Sequence, residues 1–250
     1  MQVALVTGAN QGIGLQIAKE LAEKGLVVYL GSRNLPRGLD AAKTLSGDVR
    51  AVQLDVTDRV SVADAAAKIE REVGQLDVLV QNAAISNTRK VNLGIGLEEY
   101  GRLNRASTCS IDEMRAVWDT NVFGVLAVYQ AMLPLLRKSP AARIVNVSSG
   151  VGSLARNSDP ANAYRRMFTP IYSASKTAMN ALSVAMAIEL EGTSIKVNTV
   201  SPGFTKTGLN GYEGVDTIEQ GAAEAVKMAL IGPDGPHGGF THATLGTLPW

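Results

Sequence analysis

The chain has 250 residues, and its 24 basic and 23 acidic side chains leave a formal net charge of +1. This length suits one α/β domain with a large core, and the near-neutral net charge suggests no polyanionic partner such as nucleic acid. The only cysteine, Cys109, excludes an internal disulfide framework and indicates a reducing compartment, so a cytoplasmic location is expected.

Metal and membrane sites find no support in the sequence. The two histidines have no further ligand at useful spacing, so no metal site is predicted. No continuous apolar run reaches the roughly 20 residues that cross a bilayer. The N-terminal MQVALVTG lacks the basic region and the cleavage site of a signal peptide. We therefore expect neither a nucleic-acid partner nor a membrane partner.

Short apolar runs alternate with amphipathic segments along the whole chain. Strands are predicted near 3–7, 26–31, 50–54, 76–81, 143–148, 195–200 and 238–240. Helices are predicted near 13–24, 38–46, 58–73, 110–138, 170–191 and 216–230. Valine-rich strands separated by helices imply right-handed crossovers and a sheet covered on both faces. The expected fold is α/β, a doubly wound Rossmann-type parallel sheet of about seven strands in one domain over 1–250.

The first predicted strand runs directly into a glycine-rich turn and then into a helix. This order is the context of a dinucleotide-binding fingerprint, in which glycines let the backbone approach a pyrophosphate at a helix N-terminus. The spacing is G-x-x-x-G-x-G, and the alternative interpretation is an ordinary glycine-rich turn between a strand and a helix. The candidate cofactor-binding residues of the turn are Gly8, Asn10, Gln11, Gly12, Ile13 and Gly14.

The pentapeptide YSASK places Tyr172 and Lys176 four residues apart, on one face of a predicted helix. An ammonium beside a phenol favours the phenolate, so we expect the pKa of Tyr172 to fall below its usual value of about 10. Such a phenol could act as a general acid or base. Thr169 and Pro170 would be the N-cap and the first residue of this helix, with Tyr172 in its first turn. The alternative is a pair of surface neighbours.

Seven motifs occur along the chain in the order and near the spacing of one family. They are Thr7–Gly14, Asp55-Val56, Asn82-Ala83-Ala84, Asn121, Ser148-Ser149, Tyr172–Lys176 and Pro202-Gly203. Together they cover nearly the whole chain. The sequence resembles the short-chain dehydrogenase/reductase family in its group of ordinary length, and within it most resembles the NADPH-dependent carbonyl reductases.

The resemblance implies four catalytic residues. Tyr172 would donate a proton during carbonyl reduction, while Lys176 would hydrogen-bond the nicotinamide ribose and lower the pKa of the tyrosine. Ser149, with Ser148 as its neighbour, would donate to the carbonyl oxygen. Asn121 would hold a water that links the lysine to solvent; its alternative is a buried asparagine that bonds the backbone.

The end of the second strand would select the cofactor. Ser32 occupies the position at which the family carries an acid in NAD-dependent members, and Arg33 follows it. An arginine there binds the 2′-phosphate, so the sequence implies NADPH. The alternative is a solvated arginine, and Gln11 stands where many NADPH-dependent relatives have a basic residue.

Further cofactor contacts also come from the resemblance. Asp55 would accept from the adenine amino group with Val56 packed beside it, although Asp55 could equally be a turn or cap residue. Gln81 and Ala84 depart from the family pattern around the fourth strand, so the hydrogen bonding there is expected to differ. The remaining predicted contacts are Asn82, Ala83, Ala84, Pro202, Gly203, Thr205 and Thr207.

Two segments, 86–109 and 153–169, exceed what the fold needs. Loops this long in compact domains often have a function, and the second lies between Ser149 and Tyr172, so both should border the substrate. The function expected is an NADPH-dependent carbonyl reductase acting on ketones or aldehydes of modest size. The alternatives are an NAD-dependent alcohol or steroid dehydrogenase and a non-catalytic NADPH sensor. A monomer, dimer or tetramer is left open.

Overall fold

A computed structural model describes residues 1–88 and 94–250. Within them, eight strands form one sheet: β1 Val3–Val6, β2 Val27–Ser32, β3 Val49–Gln53, β4 Val78–Gln81, β5 Arg143–Val147, β6 Lys196–Ser201, β7 Gly239–His242 and β8 Gly246–Thr247. Their order across the sheet is β3-β2-β1-β4-β5-β6-β7-β8. All neighbours are parallel except β8, which pairs antiparallel with β7.

Helices cover both faces of this sheet. Those in the described residues are α1 Gly12–Glu23, α2 Leu35–Lys43, α3 Arg59–Val73, α4 Leu97–Leu103, α5 Ile111–Trp118, α6 Gly124–Leu136, α7 Leu154–Ser158, α8 Tyr172–Glu189 and α9 Ile218–Ala229. One buried apolar cluster joins α3, α6 and α8 to one face of the sheet. A second cluster joins α1 and α9 to the other face. The predicted doubly wound α/β fold is confirmed.

Several element predictions need correction. The expected helix 110–138 is interrupted by a π-helical turn, Asp119–Phe123, between α5 and α6. The sheet gains β8, and α4 and α7 form inside segments predicted as loops. Helix α2 begins three residues early because the Asn34 side chain accepts from Arg37 N and caps it there.

The helix that carries Tyr172 also begins later than predicted. Its N-cap position is Ile171 rather than Thr169, and Tyr172 is its first residue. The Thr169 hydroxyl still accepts from Tyr172 N at 3.4 Å, so the side chain contributes the cap that the sequence indicated. The prediction that Tyr172 lies in the first turn is therefore confirmed.

Among the described residues, the segment 111–136 is long enough to cross a bilayer and has a mean hydropathy of 1.2 over its most apolar window, half of which is buried. Inspection of continuous apolar runs did not anticipate this. Val125, Val128 and Met132 belong to the core cluster on the α6 face of the sheet. Packing in the core of the protein thus accounts for the apolar character of this segment.

The strand order determines where a site can form. The chain moves outward from β1 through β2 to β3, then returns to place β4 on the opposite side of β1. Connections that leave in opposite directions open a crevice at the carboxyl ends of the strands, where ligands of such folds bind. The glycine turn follows β1 at this edge, and the predicted contacts 82–84 follow β4.

Candidate active site

The glycine turn after β1 packs against the segment after β4 without room for side chains. Gly8 has φ +62°, and a Cβ built on it would lie 2.9 Å from Ala83 Cα. A Cβ on Gly14 would lie 2.4 Å from Asn82 Nδ2. The absence of side chains at these positions lets the two segments approach and leaves the backbone of the turn at the crevice.

Asn82 and Thr7 hold this turn in place. Asn82 Nδ2 donates to the carbonyl oxygens of Thr7 and Gly8 at 3.0 and 3.1 Å. In return, Thr7 Oγ1 accepts from the backbone N–H groups of Asn82 and Ala83, each at 3.0 Å. The asparagine predicted to line the cofactor therefore also shapes the turn.

A cleft of about 1050 Å³, part of it open to solvent, lies above the carboxyl ends of the strands. It is bordered by the glycine turn at Ile13, by 147–151, by the start of α8 and by the loop after β6. The predicted site residues that line it are Ile13, Asn82, Ala84, Ser148, Ser149, Tyr172, Lys176, Pro202, Gly203, Thr205 and Thr207.

Tyr172, Lys176 and Ser149 meet at the floor of this cleft. Ser149 lies close enough to the Tyr172 hydroxyl to lower its pKa, and both side chains line the cleft. Lys176 Nζ lies 5.9 Å from the centre of the tyrosine ring, as the spacing of four residues predicts. The lysine is only 2% exposed, and its Nζ donates to the Val147 carbonyl at 2.9 Å.

The electrostatics of the pair differ from the prediction. Burial raises the pKa of Tyr172 to about 12, and the nearby Ser149 hydroxyl opposes this only in part. Burial also lowers the pKa of Lys176 to about 7. The expected depression of the tyrosine pKa by the lysine is therefore wrong for the protein without ligands, because desolvation penalises both charged forms.

Asn121 lies in the π-helical turn and is fully buried. Its Oδ1 accepts from Ile85 N at 3.0 Å, and its Nδ2 donates to the Ile85 carbonyl at 2.8 Å and to Ser175 Oγ at 3.0 Å. Ser175 Oγ in turn donates to the Tyr172 carbonyl at 2.6 Å. The side chain thus bonds the backbone, as the alternative interpretation had it, and fastens the segment after β4 to the first turn of α8. Single-turn π elements often occur at functional sites.

The residues present fit a bound dinucleotide. Lys176 is a buried cation whose partners among the described residues are Val147 O and the Met179 thioether, with no carboxylate to neutralise it. A buried charge needs acceptors, and ribose hydroxyls in the cleft would supply them. The glycine turn at the N-terminus of α1 offers the backbone concavity that phosphates occupy.

Ser32 and Arg33 differ in exposure at the end of β2. Ser32 is 1% exposed, and its hydroxyl donates to Asn34 O at 2.8 Å and accepts from Asn34 N at 3.3 Å. Arg33 is exposed. The serine hydroxyl is therefore taken up by a local turn, and the guanidinium is the group of the two that a 2′-phosphate could reach.

Asp55, which was predicted to accept from the adenine amino group, makes the turn contacts that the alternative interpretation expected. Asp55 Oδ1 accepts from Thr57 N at 3.0 Å and Thr57 Oγ1 at 2.7 Å, which is a turn interaction. Val56 is buried, and a Cβ on Gly124 would lie 2.8 Å from its Cγ2. Both residues therefore have local contacts that account for them, and their contacts to adenine remain predictions.

The loop after β6 closes the cleft on its far side. Gly203 has φ +78°, and a Cβ there would lie 2.5 Å from Asp216 Oδ2, which accepts from Phe204 N at 2.9 Å. Thr205 is 4% exposed, and its hydroxyl donates to Pro202 O at 2.9 Å, so it supports the loop. Thr207 reaches over the glycine turn, with its Cγ2 3.8 Å from a Cβ built on Gly12.

The roof of the cleft contains residues that the sequence did not single out. Ser86 Oγ donates to Leu209 O at 2.6 Å, which joins the segment after β4 to the loop after β6. Both carboxylate oxygens of Glu213 accept from Leu97 N at 3.2 Å, at the start of α4. These contacts link positions 116 and 123 residues apart, and no local spacing could have indicated them.

The two long segments contribute unequally to the walls. From the first come Ser86, Asn87, Leu97, Tyr100 and Gly101, and from the second only Met167 and Thr169. Residues 89–93 of the first segment lie outside the described residues.

Comparison with known proteins agrees with these features. The profile of the family described as short chain dehydrogenase matches residues 2–216. The chain is 32% identical to (−)-isopiperitenone reductase of Mentha piperita, over 95% of each protein. It is 31% identical to salutaridine reductase of Papaver bracteatum, over 96% of this chain and 94% of that protein.

A solved structure gives the same result at the level of the fold. Salutaridine reductase from Papaver somniferum superposes with a TM-score of 0.80 at 29% identity, covering 97% of this chain and all of that one. Because the family profile spans most of the chain and the relatives align along their full length, this protein belongs to the short-chain dehydrogenase/reductase family of oxidoreductases.

Proposed function

We propose that this protein is an NADPH-dependent carbonyl reductase that acts on ketones or aldehydes of modest size, with Tyr172 as the proton donor. The observation that carries the proposal is the convergence of Ser149, Tyr172 and the buried Lys176 at the floor of the cleft, with Lys176 Nζ 5.9 Å from the centre of the tyrosine ring. Two hydroxyls that converge in this way can both donate to one carbonyl oxygen.

The protonation state of Tyr172 suits the reduction of a carbonyl group. A pKa of about 12 keeps the Tyr172 hydroxyl protonated at neutral pH, so it holds the proton that the product alcohol needs. Ser149 would donate to the same carbonyl oxygen and orient it. A bound nicotinamide supplies the hydride chemistry at the carbonyl carbon. Lys176 would bind its ribose and, once charged, would favour loss of the tyrosine proton.

Arg33 supports NADPH over NADH. It is exposed at the end of β2, where a 2′-phosphate would lie, and Ser32 before it carries no charge to repel a phosphate. A charge-assisted contact of this kind contributes about 1.5–3 kcal/mol. We therefore expect Arg33→Ala to raise the KM for NADPH at least about tenfold and to leave that for NADH nearly unchanged. Equal efficiency of the wild-type enzyme with both cofactors would contradict the assignment.

The lining of the cleft favours a neutral, largely apolar substrate. Its walls include Leu97, Met167, Phe204 and Leu209, and Lys176 is the single charged side chain among the described residues that line it. A charged substrate would lose its hydration here with no partner besides Lys176, which would bind the ribose of the cofactor. The relatives named isopiperitenone reductase and salutaridine reductase support a ketone substrate.

A substrate screen tests the proposal as a whole. NADPH and NADH consumption is followed with a panel of neutral cyclic, aromatic and aliphatic ketones and aldehydes, and the reverse reaction is followed with the matching alcohols. Turnover of ketones with NADPH is expected. Alcohol oxidation with NAD⁺ alone would instead support an alcohol or steroid dehydrogenase. NADPH binding without turnover of any substrate would support a sensor.

A further inference from the structure

Helix α8 carries a third polar side chain on the face that carries Tyr172 and Lys176. Asn180 follows Lys176 by four residues, so the three side chains form one stripe along the helix. Asn180 is 4% exposed and lies below the cleft, without lining it. It is therefore placed to act on the site through other residues.

The side chains of the stripe contact one short segment of chain, residues 147–152, which we call the Ser149 turn. Lys176 Nζ donates to Val147 O at 2.9 Å. Asn180 Oδ1 accepts from Ser148 Oγ at 2.5 Å, and Tyr172 faces the cleft together with Ser149. Two successive residues of the turn, Val147 and Ser148, thus each bond a different member of the stripe, and Ser149 follows them directly.

Asn180 also holds the far end of the turn. Its Nδ2 donates to the Gly152 carbonyl at 3.3 Å, and Thr177 Oγ1 donates to the same carbonyl at 2.9 Å. A Cβ on Gly152 would lie 3.0 Å from the backbone of Lys176, so the turn lies directly on the helix. One amide therefore bonds residues on both sides of Ser149.

The opposite side of the turn is hydrogen bonded to β6. Ser148 N donates to Val200 O at 2.8 Å, and Gly150 N donates to Ser201 Oγ at 3.0 Å. These bonds fix the height of the turn above the sheet. Only the bonds from α8 relate it to the helix on which Tyr172 stands.

We propose that Asn180 is a positioning residue, which places the Ser149 hydroxyl against the Tyr172 hydroxyl by holding Ser148 and Gly152 on α8. Serine and tyrosine stand on separate elements, a strand end and a helix, and both must face one carbonyl oxygen. A misplacement of about 1 Å at such a site can cost about 100-fold in rate. The Asn180 amide fixes the position of Ser149 relative to Tyr172 without contacting the substrate.

Asn180→Ala tests this directly. We expect kcat for ketone reduction to fall between about 10-fold and 100-fold, with the KM for NADPH within about threefold, since the lysine and the glycine turn are intact. In the direction of alcohol oxidation, displacement of Ser149 removes an interaction that lowers the pKa of Tyr172. The rising limb of the pH–rate profile should therefore move to higher pH.

Asn198→Ala is the matched control. Asn198 is 2% exposed on β6, where its Nδ2 donates to Pro236 O at 2.7 Å and its Oδ1 accepts from Gly239 N at 3.2 Å. It resembles Asn180 in burial and in its bonds but lies apart from the site. Both variants should lose similar thermal stability, and only Asn180→Ala should lose kcat. Equal effects of the two on kcat would overturn the proposal.

Ser148→Ala removes the same hydrogen bond from the other partner and serves if Asn180→Ala does not fold. Its kcat should fall in the same way, and combining it with Asn180→Ala should cost little more than the larger single change, because the two residues act through one contact. A kcat for Ser148→Ala within twofold of the wild type would overturn the proposal.

The inference rests on the proposed reductase activity, and one measurement tests the role of Asn180 independently of that activity. The ¹³Cζ resonance of Tyr172, assigned by its loss in Tyr172→Phe, reports the environment of the phenol without turnover. It should shift in Asn180→Ala and Ser148→Ala and stay in place in Asn198→Ala. An unchanged resonance in the first two would refute the positioning role, whether or not a substrate has been found.

Discussion

At the scale of single residues, burial decides the chemistry of the site. Tyr172 and Lys176 are neighbours, yet the pKa of the phenol rises to about 12 and that of the amine falls to about 7. Desolvation is the largest cause of both shifts and acts on each group separately, although Lys176 Nζ lies 5.9 Å from the centre of the tyrosine ring. The phenol therefore keeps its proton at neutral pH, which prepares the tyrosine as an acid.

Removal of the phenolic hydroxyl isolates the proton donor. Tyr172→Phe keeps the ring and its packing, so folding and NADPH affinity should be unchanged. Turnover should fall by about 10²–10⁴-fold, the usual contribution of a general acid. The measurements are kcat with a ketone and Kd for NADPH by fluorescence. Retention of more than a few per cent of the activity would mean that another group supplies the proton.

The lowered pKa of Lys176 predicts how stability depends on pH. In the folded protein the amine loses its proton near pH 7, whereas in the unfolded chain it does so near 10.4. Between these values the unfolded state binds more protons, so the cost of the buried lysine is full below pH 7 and disappears as the pH approaches 10.

The variant Lys176→Met removes this cost. Its advantage in free energy of unfolding over the wild type, without cofactor, should be largest below pH 7 and should shrink steadily toward pH 10 in urea titrations. Lys24→Met, at an exposed position, is the control and should show no such trend. A difference that stays constant from pH 6 to 10 would show that Lys176 remains charged when buried.

At the scale of elements, the cleft is built from segments that bridge distant parts of the chain. The π-helical turn Asp119–Phe123 turns Asn121 inward to bond Ile85 and Ser175. Helix α4 has Gly96 at its N-cap position, which offers no side-chain cap, and Glu213 supplies the acceptor from the loop after β6. A carboxylate there is also favoured by the helix dipole.

This contact predicts that Glu213 holds the roof of the cleft in place. A lost cap costs about 1 kcal/mol, so Glu213→Ala should raise the KM for ketones about fivefold by loosening α4. The KM for NADPH should be unchanged. Hydrogen exchange of the α4 amides should become faster in the variant and not in Glu219→Ala, a residue on the outer surface of α9. Unchanged exchange in α4 would contradict the prediction.

At the scale of the whole molecule, a rigid sheet carries two long segments over its carboxyl edge. The scaffold would bind the cofactor and the segments would select the substrate, a division typical of such folds. The segment 153–169 also contacts the end of the chain, where Ser153 Oγ donates to Pro249 O at 2.6 Å and Ala155 N donates to Trp250 O at 2.9 Å.

Replacement of 155–166 by a short turn tests this division. These residues do not line the described cleft, but they lead into Met167 and Thr169, which do. The change should therefore alter relative rates among ketones more than it alters NADPH affinity. Light scattering on the same variant decides the alternative: an unchanged substrate profile with a changed assembly state would show that the segment serves association between subunits.

The sequence by itself determined the doubly wound fold, the glycine turn after β1 and the meeting of Tyr172 with Lys176. These features depend on local periodicity and on spacing along one element, which neighbouring residues specify directly. The order of the motifs also indicated the family.

Only the tertiary structure decided the direction of the Tyr172 pKa, the partners of Asn121, the cap that Glu213 places on α4 and the grip of Asn180 on the Ser149 turn. Each of these depends on groups brought together from distant positions. Desolvation and buried hydrogen bonds are set by what surrounds a group in space, and the spacing of residues along the chain does not encode it.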